Sequence, residues 1–278
     1  MRPVPLGNPV PPGNPVPPGN PVPPGNPVPP GNPVLPDNPV LPDNPVPSGR
    51  SVHVWWFDIR AVSPGAAGLA SLDDGERERA AAFAFPADRH RYQVAHVMLR
   101  QVLARYTGTA AAGLAFGREP CPRCGGPSGR PVLVPPAGGV PVPGFSLAHS
   151  GDMVAIAVAG LPVGVDTEHA ARGCVCSLAT TLHPADAAWV AGLAEPARHE
   201  AIMTCWVRAE AVLKCTGEGI GHGLDGFEVR PVPGGGGPAA AAAVHGCAVR
   251  EMTAPAGYRA AVALAGAGQI AVQTRRWT

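Results

Sequence analysis

Lysine is almost missing from this 278-residue chain, which carries twenty arginines and a single lysine, Lys214. Basic positions default to arginine, so the one ammonium stands out: it is compact and can trade its proton, which a guanidinium does not do. An excess of charge of either sign is also missing, the formal net charge being +1. Nucleic-acid binding needs a basic stripe, so no nucleic acid is expected as the main partner. Long apolar runs are absent as well. The longest, Met153 to Val165, is broken by glycine and proline and is too short to span a bilayer, so no membrane partner is expected. No apolar segment of the secretory type opens the sequence. The seven cysteines are therefore expected to be reduced thiols of a cytoplasmic protein.

Proline, by contrast, is plentiful and concentrated. Residues 1–49 repeat Asn-Pro-Val with period six at Asn8, Asn14, Asn20, Asn26, Asn32, Asn38 and Asn44. Such a segment lacks ladder donors and cannot bury a core, so a disordered tail, partly polyproline II, is expected. It reads either as a dispensable low-complexity extension or as a spacer or ligand for an aromatic groove.

The folded part is expected to begin near Ser51. Ser51 to Ile59 is β-branched and aromatic and predicts a strand. Leu72 to Tyr106 predicts helix interrupted near Pro86, with Tyr92, Leu99 and Leu103 on one stripe. Residues 117–144 are turn-rich. Two strands are predicted at Val154–Ala159 and Val163–Thr167, then a helix from Ala197 to Cys215 ended by Gly217. Further strands are predicted at Phe227–Val232, Ala243–Met252 and Tyr258–Leu264, with a low-complexity loop over Gly234–Ala243. The order strand, helix, strands thus occurs twice, which predicts an α+β fold of two similar halves, 50–158 and 159–278.

Within the second half, Asp166 and Glu168 lie two apart on a predicted strand, so both carboxylates face one way while Val163 and Val165 face the core. Paired carboxylates repel and call for a cation or a shared proton. Mg²⁺ suits such a set, because it takes hard oxygen ligands from one or two carboxylates together with phosphates and water. Trp206, Glu210 and Lys214 stand at i, i+4 and i+8 on the later helix, so Glu210 can supply a third acid. The plainer reading is a surface Glu–Lys pair and a solvated strand edge. Upstream, Ser146, His149 and Ser150 precede the strand pair; a His-Ser-Gly turn at a strand end can bind phosphate, although a single histidine is more often structural.

These segments, in this order, resemble the 4′-phosphopantetheinyl transferases, specifically the monomeric class that activates nonribosomal peptide and polyketide synthases. The segments are Ala148-His149-Ser150, Gly164-Val165-Asp166-Thr167-Glu168 and Trp206 to Lys214, followed by Gly217 to Phe227. The likeness extends back through Phe83-Ala84-Phe85 to Arg79 and forward to Leu99-Arg100, and covers most of residues 70–265. It implies two similar α+β halves in pseudo-twofold arrangement with a site at their junction, in a monomer. It implies that phosphopantetheine passes from coenzyme A to a serine of an apo acyl or peptidyl carrier protein, with Mg²⁺ held by Asp166, Glu168 and Glu210. Lys214 would contact phosphate and assist proton transfer, and Glu210 would act as base. Coenzyme A would be gripped by Arg79, Gly129, Arg130, Ser146, His149, Ser150 and Asp166.

The sequence departs from the family at Ala148 and Ala209, where serine and lysine are usual, and at Glu76, where some relatives carry a base. A degenerate protein that only binds coenzyme A or a carrier is one rival reading. A scaffold acting through the proline-rich repeat is another. Cys121 and Cys124 form a Cys-x₂-Cys pair, half of a zinc site or simply a tight turn; His183 or His149 could complete the former.

Overall fold

A computed structural model describes residues 44–135, 142–170, 175–231 and 244–277. The first strand, β1 (Ser51–Asp58), leads into three helices, α1 (Gly65–Ala70), α2 (Asp74–Ala81) and α3 (Pro86–Thr107). Pro86 opens α3, where its missing N–H costs nothing, and Gly108 ends it in the left-handed conformation with φ 66°. Two three-residue strands follow, β2 (Phe116–Arg118) and β3 (Pro131–Leu133), paired with each other. Then come β4 (Gly144–Ser150), β5 (Met153–Ala159) and β6 (Val163–His169). After β6 lie α4 (Cys176–Ala179), α5 (Pro184–Ala191) and the long α6 (Ala197–Thr216). The last elements are β7 (Cys247–Met252), β8 (Tyr258–Ala265) and β9 (Ala271–Arg276). The fold is α+β.

Two larger sheets carry the structure, one ordered β4-β5-β1-β9 and one ordered β6-β8-β7. β5 lies antiparallel between β4 and β1, and β8 lies antiparallel between β7 and β6. The order β4-β5-β1 around α3 therefore has a counterpart in β7-β8-β6 around α6. β9 breaks the parity by joining the first sheet, parallel to β1.

Alternation along the strands decides the layers. Trp55, Phe57, Val154, Ile156 and Val158 pack on α3 through Val94, Met98, Val102 and Leu103. The opposite face, with Val52, Val54, Ala155 and Ala157, meets Val163, Val165, Val262 and Leu264 of the second sheet. That sheet turns Ala261, Ala263 and Val249 toward Val207, Ala211, Val212 and Cys215 of α6. The small alanines of β5 and β8 let the sheets and α6 approach closely.

One predicted strand is absent among the described residues: 227–231 runs without a ladder. The fully buried Asp186 of α5 accepts the amides of Val229 at 2.7 Å and Arg230 at 3.3 Å, so a side chain takes the donors a strand would pair. The strand expected from Ala243 begins at Cys247, and the loop 234–243 lies outside the described residues. Strands β2, β3, β4 and β9 lie where the sequence predicts no strand. Of the repeat, residues 1–43 also lie outside them. Residues 44–49 are packed: the Asn44 amide donates to the Arg105 carbonyl, Pro47 is buried and its carbonyl accepts from Gly160, and Val46 touches the first core.

Candidate active site

The site begins with a glycine. A Cβ on Gly164 would lie 1.9 Å from the Ala211 carbonyl oxygen and 2.5 Å from the Cys215 amide nitrogen. Only a bare Cα lets α6 lie this close on β6. Two residues on, at the same face, Asp166 then meets the α6 face bearing Glu210 and Lys214. Lys214 Nζ stands 2.6 Å from Asp166 Oδ1. Asp166 is 5% exposed, and its second oxygen, Oδ2, is buried without a hydrogen-bond partner. Glu168, next on that face of β6, receives the Ser150 hydroxyl at 2.6 Å.

Electrostatics follow from this crowding. Burial pushes the Asp166 carboxyl up to about 7, with Glu210 and Glu168 adding to the effect against the opposing Lys214. Burial also raises Glu210, again against Lys214. Lys214 is held above its ordinary pKa: burial disfavours its charge, but Asp166 and Glu210 more than offset that. His149, exposed on β4, is pushed below its ordinary value by surrounding protein and by Lys214, His96 and Arg91.

The carboxylates suit a hard cation. An orphaned buried oxygen, two raised carboxyls and mutual repulsion are what a divalent ion would relieve. Among the described residues, no three His, Cys, Asp or Glu side chains converge into a ready-made cage, and Lys214 occupies one Asp166 oxygen. Asp166, Glu168 and Glu210 can thus contribute ligands, while substrate oxygens and water would have to complete the shell.

Beside the acids opens a cavity of about 580 Å³. Lys214, Ser146, Gly129 and Arg130 line it, together with His96 and Phe116, which sequence reasoning did not single out. Gly129 has no room for a side chain, since a Cβ would meet the Glu119 carbonyl oxygen at 2.2 Å. Arg130 is tied into the protein, donating to the Cys215 carbonyl at 2.7 Å and to Glu119 at 2.6 Å. It caps the C-terminal end of α6, one residue from Lys214. Arg79 is exposed on α2 and does not line the cavity. Ser146 and Ser150 are both buried and both accept a β6 amide, from Val165 at 3.0 Å and His169 at 3.1 Å.

Glu76 has a task of its own. It closes a capping box with Asp73 at the start of α2, meets His96 Nδ1 at 3.1 Å and accepts from the fully buried Arg100 at 2.7 Å. Arg100 also bonds Asp73 at 2.7 Å and the carbonyls of Ala111 and Leu114. Burial alone would raise Glu76, but His96, the Asp73 amide and Arg100 hold it below the ordinary carboxylate range. The signals were legible in Asp73-x-x-Glu76 and in an arginine set among the apolar residues of α3.

Cys121 is buried and Cys124 exposed on a turn closed by Cys121 N–H to Gly126 and Gly125 N–H to Cys121. The tight-turn reading describes them, and among the described residues no metal cluster includes them. His183 instead caps α5 through the Ala185 amide.

The sequence pattern of the 4′-phosphopantetheinyl transferase superfamily matches residues 162–263, the stretch from β6 to β8 that carries Asp166, Glu168, Glu210 and Lys214. A 4′-phosphopantetheinyl transferase of Bacillus subtilis is 25% identical over 162 residues, 58% of this chain and 67% of that protein. The 4′-phosphopantetheinyl transferase psf-1 of Bacillus pumilus is 31% identical over 157 residues, 56% of this chain and 62% of that protein. The aligned part thus spans about two thirds of the length of either relative. Residues 162–263, which hold the acids, the lysine and the glycine that brings them together, are thus the part of this chain that is similar to the 4′-phosphopantetheinyl transferase superfamily.

Proposed function

We propose that the chain transfers 4′-phosphopantetheine from coenzyme A to a serine hydroxyl of an apo acyl or peptidyl carrier protein and releases 3′,5′-ADP. The observation that carries the reading is the position of Lys214, which touches Asp166 on one side and lines the cavity on the other. One side chain thereby joins a cation-seeking acid cluster to a space for a phosphorylated substrate. The recurrence of β4-β5-β1 as β7-β8-β6 supports two halves related by a pseudo-twofold axis, 50–158 and 159–278, with this site at their junction. Two halves in one chain make a monomer sufficient.

Asp166, Glu168 and Glu210 would hold Mg²⁺, which when bound neutralises charge on the pyrophosphate. The residues themselves do the rest. Lys214 keeps its proton through its acid neighbours and aims an ammonium at the phosphate oxygens. His149, its pKa lowered so that the imidazole favours the neutral form, would donate one N–H to phosphate without adding charge. Glu210, its carboxyl pKa raised by burial, takes the proton from the carrier serine as that oxygen bonds to the β-phosphorus of coenzyme A and the bond to 3′,5′-ADP breaks. Gly129 and Arg130 shape the cavity wall, and Arg79, exposed on α2, would meet the 3′-phosphate.

The test is direct. The full chain is incubated with coenzyme A, Mg²⁺ and an apo carrier, and the carrier is weighed by mass spectrometry. A gain of one phosphopantetheine supports the reading. An unmodified carrier together with tight coenzyme A binding would replace it with the binding-only alternative.

A further inference from the structure

Strands β4 and β6 are edge strands of different sheets, and two serines join them. Ser146 and Ser150, four residues apart on β4, each accept an amide of β6, from Val165 and His169. Their chemistry then diverges. Ser150 also donates to Glu168 Oε2 at 2.6 Å, whereas among the described residues no such bond to a carboxylate is recorded for Ser146. Ser150 is 3% exposed and does not line the cavity. It is therefore badly placed to reach a substrate phosphate and well placed to act on Glu168.

Glu168 needs such a partner. It shares its face with Asp166 and lies near Glu210, so repulsion favours turning it away toward solvent. A short hydroxyl bond to one carboxylate oxygen fixes its rotation. The hydroxyl itself cannot drift, because the His169 amide holds its oxygen. Backbone, hydroxyl and carboxylate form a chain of support of the kind that orients metal ligands.

We propose that Ser150 is a positioning residue: it sets Glu168 in the orientation that takes a divalent cation, and it is not a phosphate ligand. The inference rests on the proposed reading of Asp166, Glu168 and Glu210 as cation ligands. The test uses the full chain saturated with coenzyme A and measures Mn²⁺ binding by electron paramagnetic resonance of the free ion, against a coenzyme A blank. Ser150→Ala is expected to weaken Mn²⁺ by about tenfold, the lower end of what loss of a ligand's support produces. In a Glu168→Gln background, Ser150→Ala should cost almost nothing further, because its target is gone.

A Ser150→Ala protein that binds Mn²⁺ like wild type, or a loss that adds in full to that of Glu168→Gln, overturns the inference and leaves the cation site standing. A wild-type protein that binds no Mn²⁺ overturns both. Should Ser150→Ala fail to fold, Ser150→Cys carries the same test, since it keeps the shape but offers only a weak donor.

Discussion

Gly164 lies directly beneath Ala211, so close that any side chain would enter the α6 backbone. The separation of β6 and α6, and with it the 2.6 Å contact of Asp166 with Lys214, is set by the absence of one methyl group. Gly164→Ala must push the helix away. Overpacking of this kind costs about 1–3 kcal/mol, so a clear fall in denaturant midpoint is expected. Transfer activity should fall further than stability, because the acids separate from the lysine. A variant with wild-type midpoint and rate would remove this account of the site's assembly.

Asp166 gives a pH signature. Its folded-state pKa, about 7, lies above the ordinary 3.8, so the native state holds the proton more tightly than the unfolded chain. Stability from this group is present at low pH and is lost as pH rises from about 4 through 7. Asp166→Asn removes that slope. Without metal, the melting temperature of wild type relative to Asp166→Asn should decline between pH 5 and pH 8. A wild type that gains on the mutant over that range would mark Asp166 as a structural ion-pair partner of Lys214.

Glu210 should separate chemistry from binding. Glu210→Gln keeps the shape and loses the base, so kcat is expected to fall by about 10²–10⁴ with the KM for coenzyme A little changed. Steady-state kinetics with an apo carrier decide this, and a near wild-type kcat would assign the base elsewhere.

Arg100 is a stability residue. Replacing it with alanine strands Glu76 in a buried position, and breaking such a pair from one side costs about 3–5 kcal/mol. Arg100→Ala should unfold early in urea. Glu76→Gln together with Arg100→Met, which removes both charges, should recover much of the loss. Equal damage from single and double variants would contradict the pairing.

The boundary of the repeat can be located by truncation. A chain starting at Asn44 should retain the full melting temperature and transfer rate. One starting at Ser51 loses the Asn44–Arg105 and Pro47–Gly160 hydrogen bonds and the Val46 contact, and should melt lower. Equal melting temperatures for the two would make 44–49 part of the dispensable segment.

The sequence made the second half readable because its signals are local. Period two on β6 separated Asp166 and Glu168 from Val163 and Val165, and the i, i+4 spacing placed Glu210 with Lys214. What stayed hidden depends on contacts distant in sequence. Nothing near Phe227 announces that Asp186 will take the amides of Val229 and Arg230 in place of a ladder. The bonds of Ser146 and Ser150 stayed hidden because their partners, β6 amides, carry no side-chain signature. Gly164 read only as part of a motif, while its physical reason lies more than forty residues downstream at Ala211.

β9 has a consequence for the order in which the chain is made. It is the second partner of β1, and roughly a hundred residues separate it from β5, the first. At about 5–20 residues per second, a ribosome spends on the order of 5–20 s between the two. Through that interval one edge of β1, with its tryptophans, stays open to pairing with other chains. Synthesis in the cell is therefore the stage at which this protein is most exposed to aggregation, and a slower stretch of translation before β9 would lengthen the exposure.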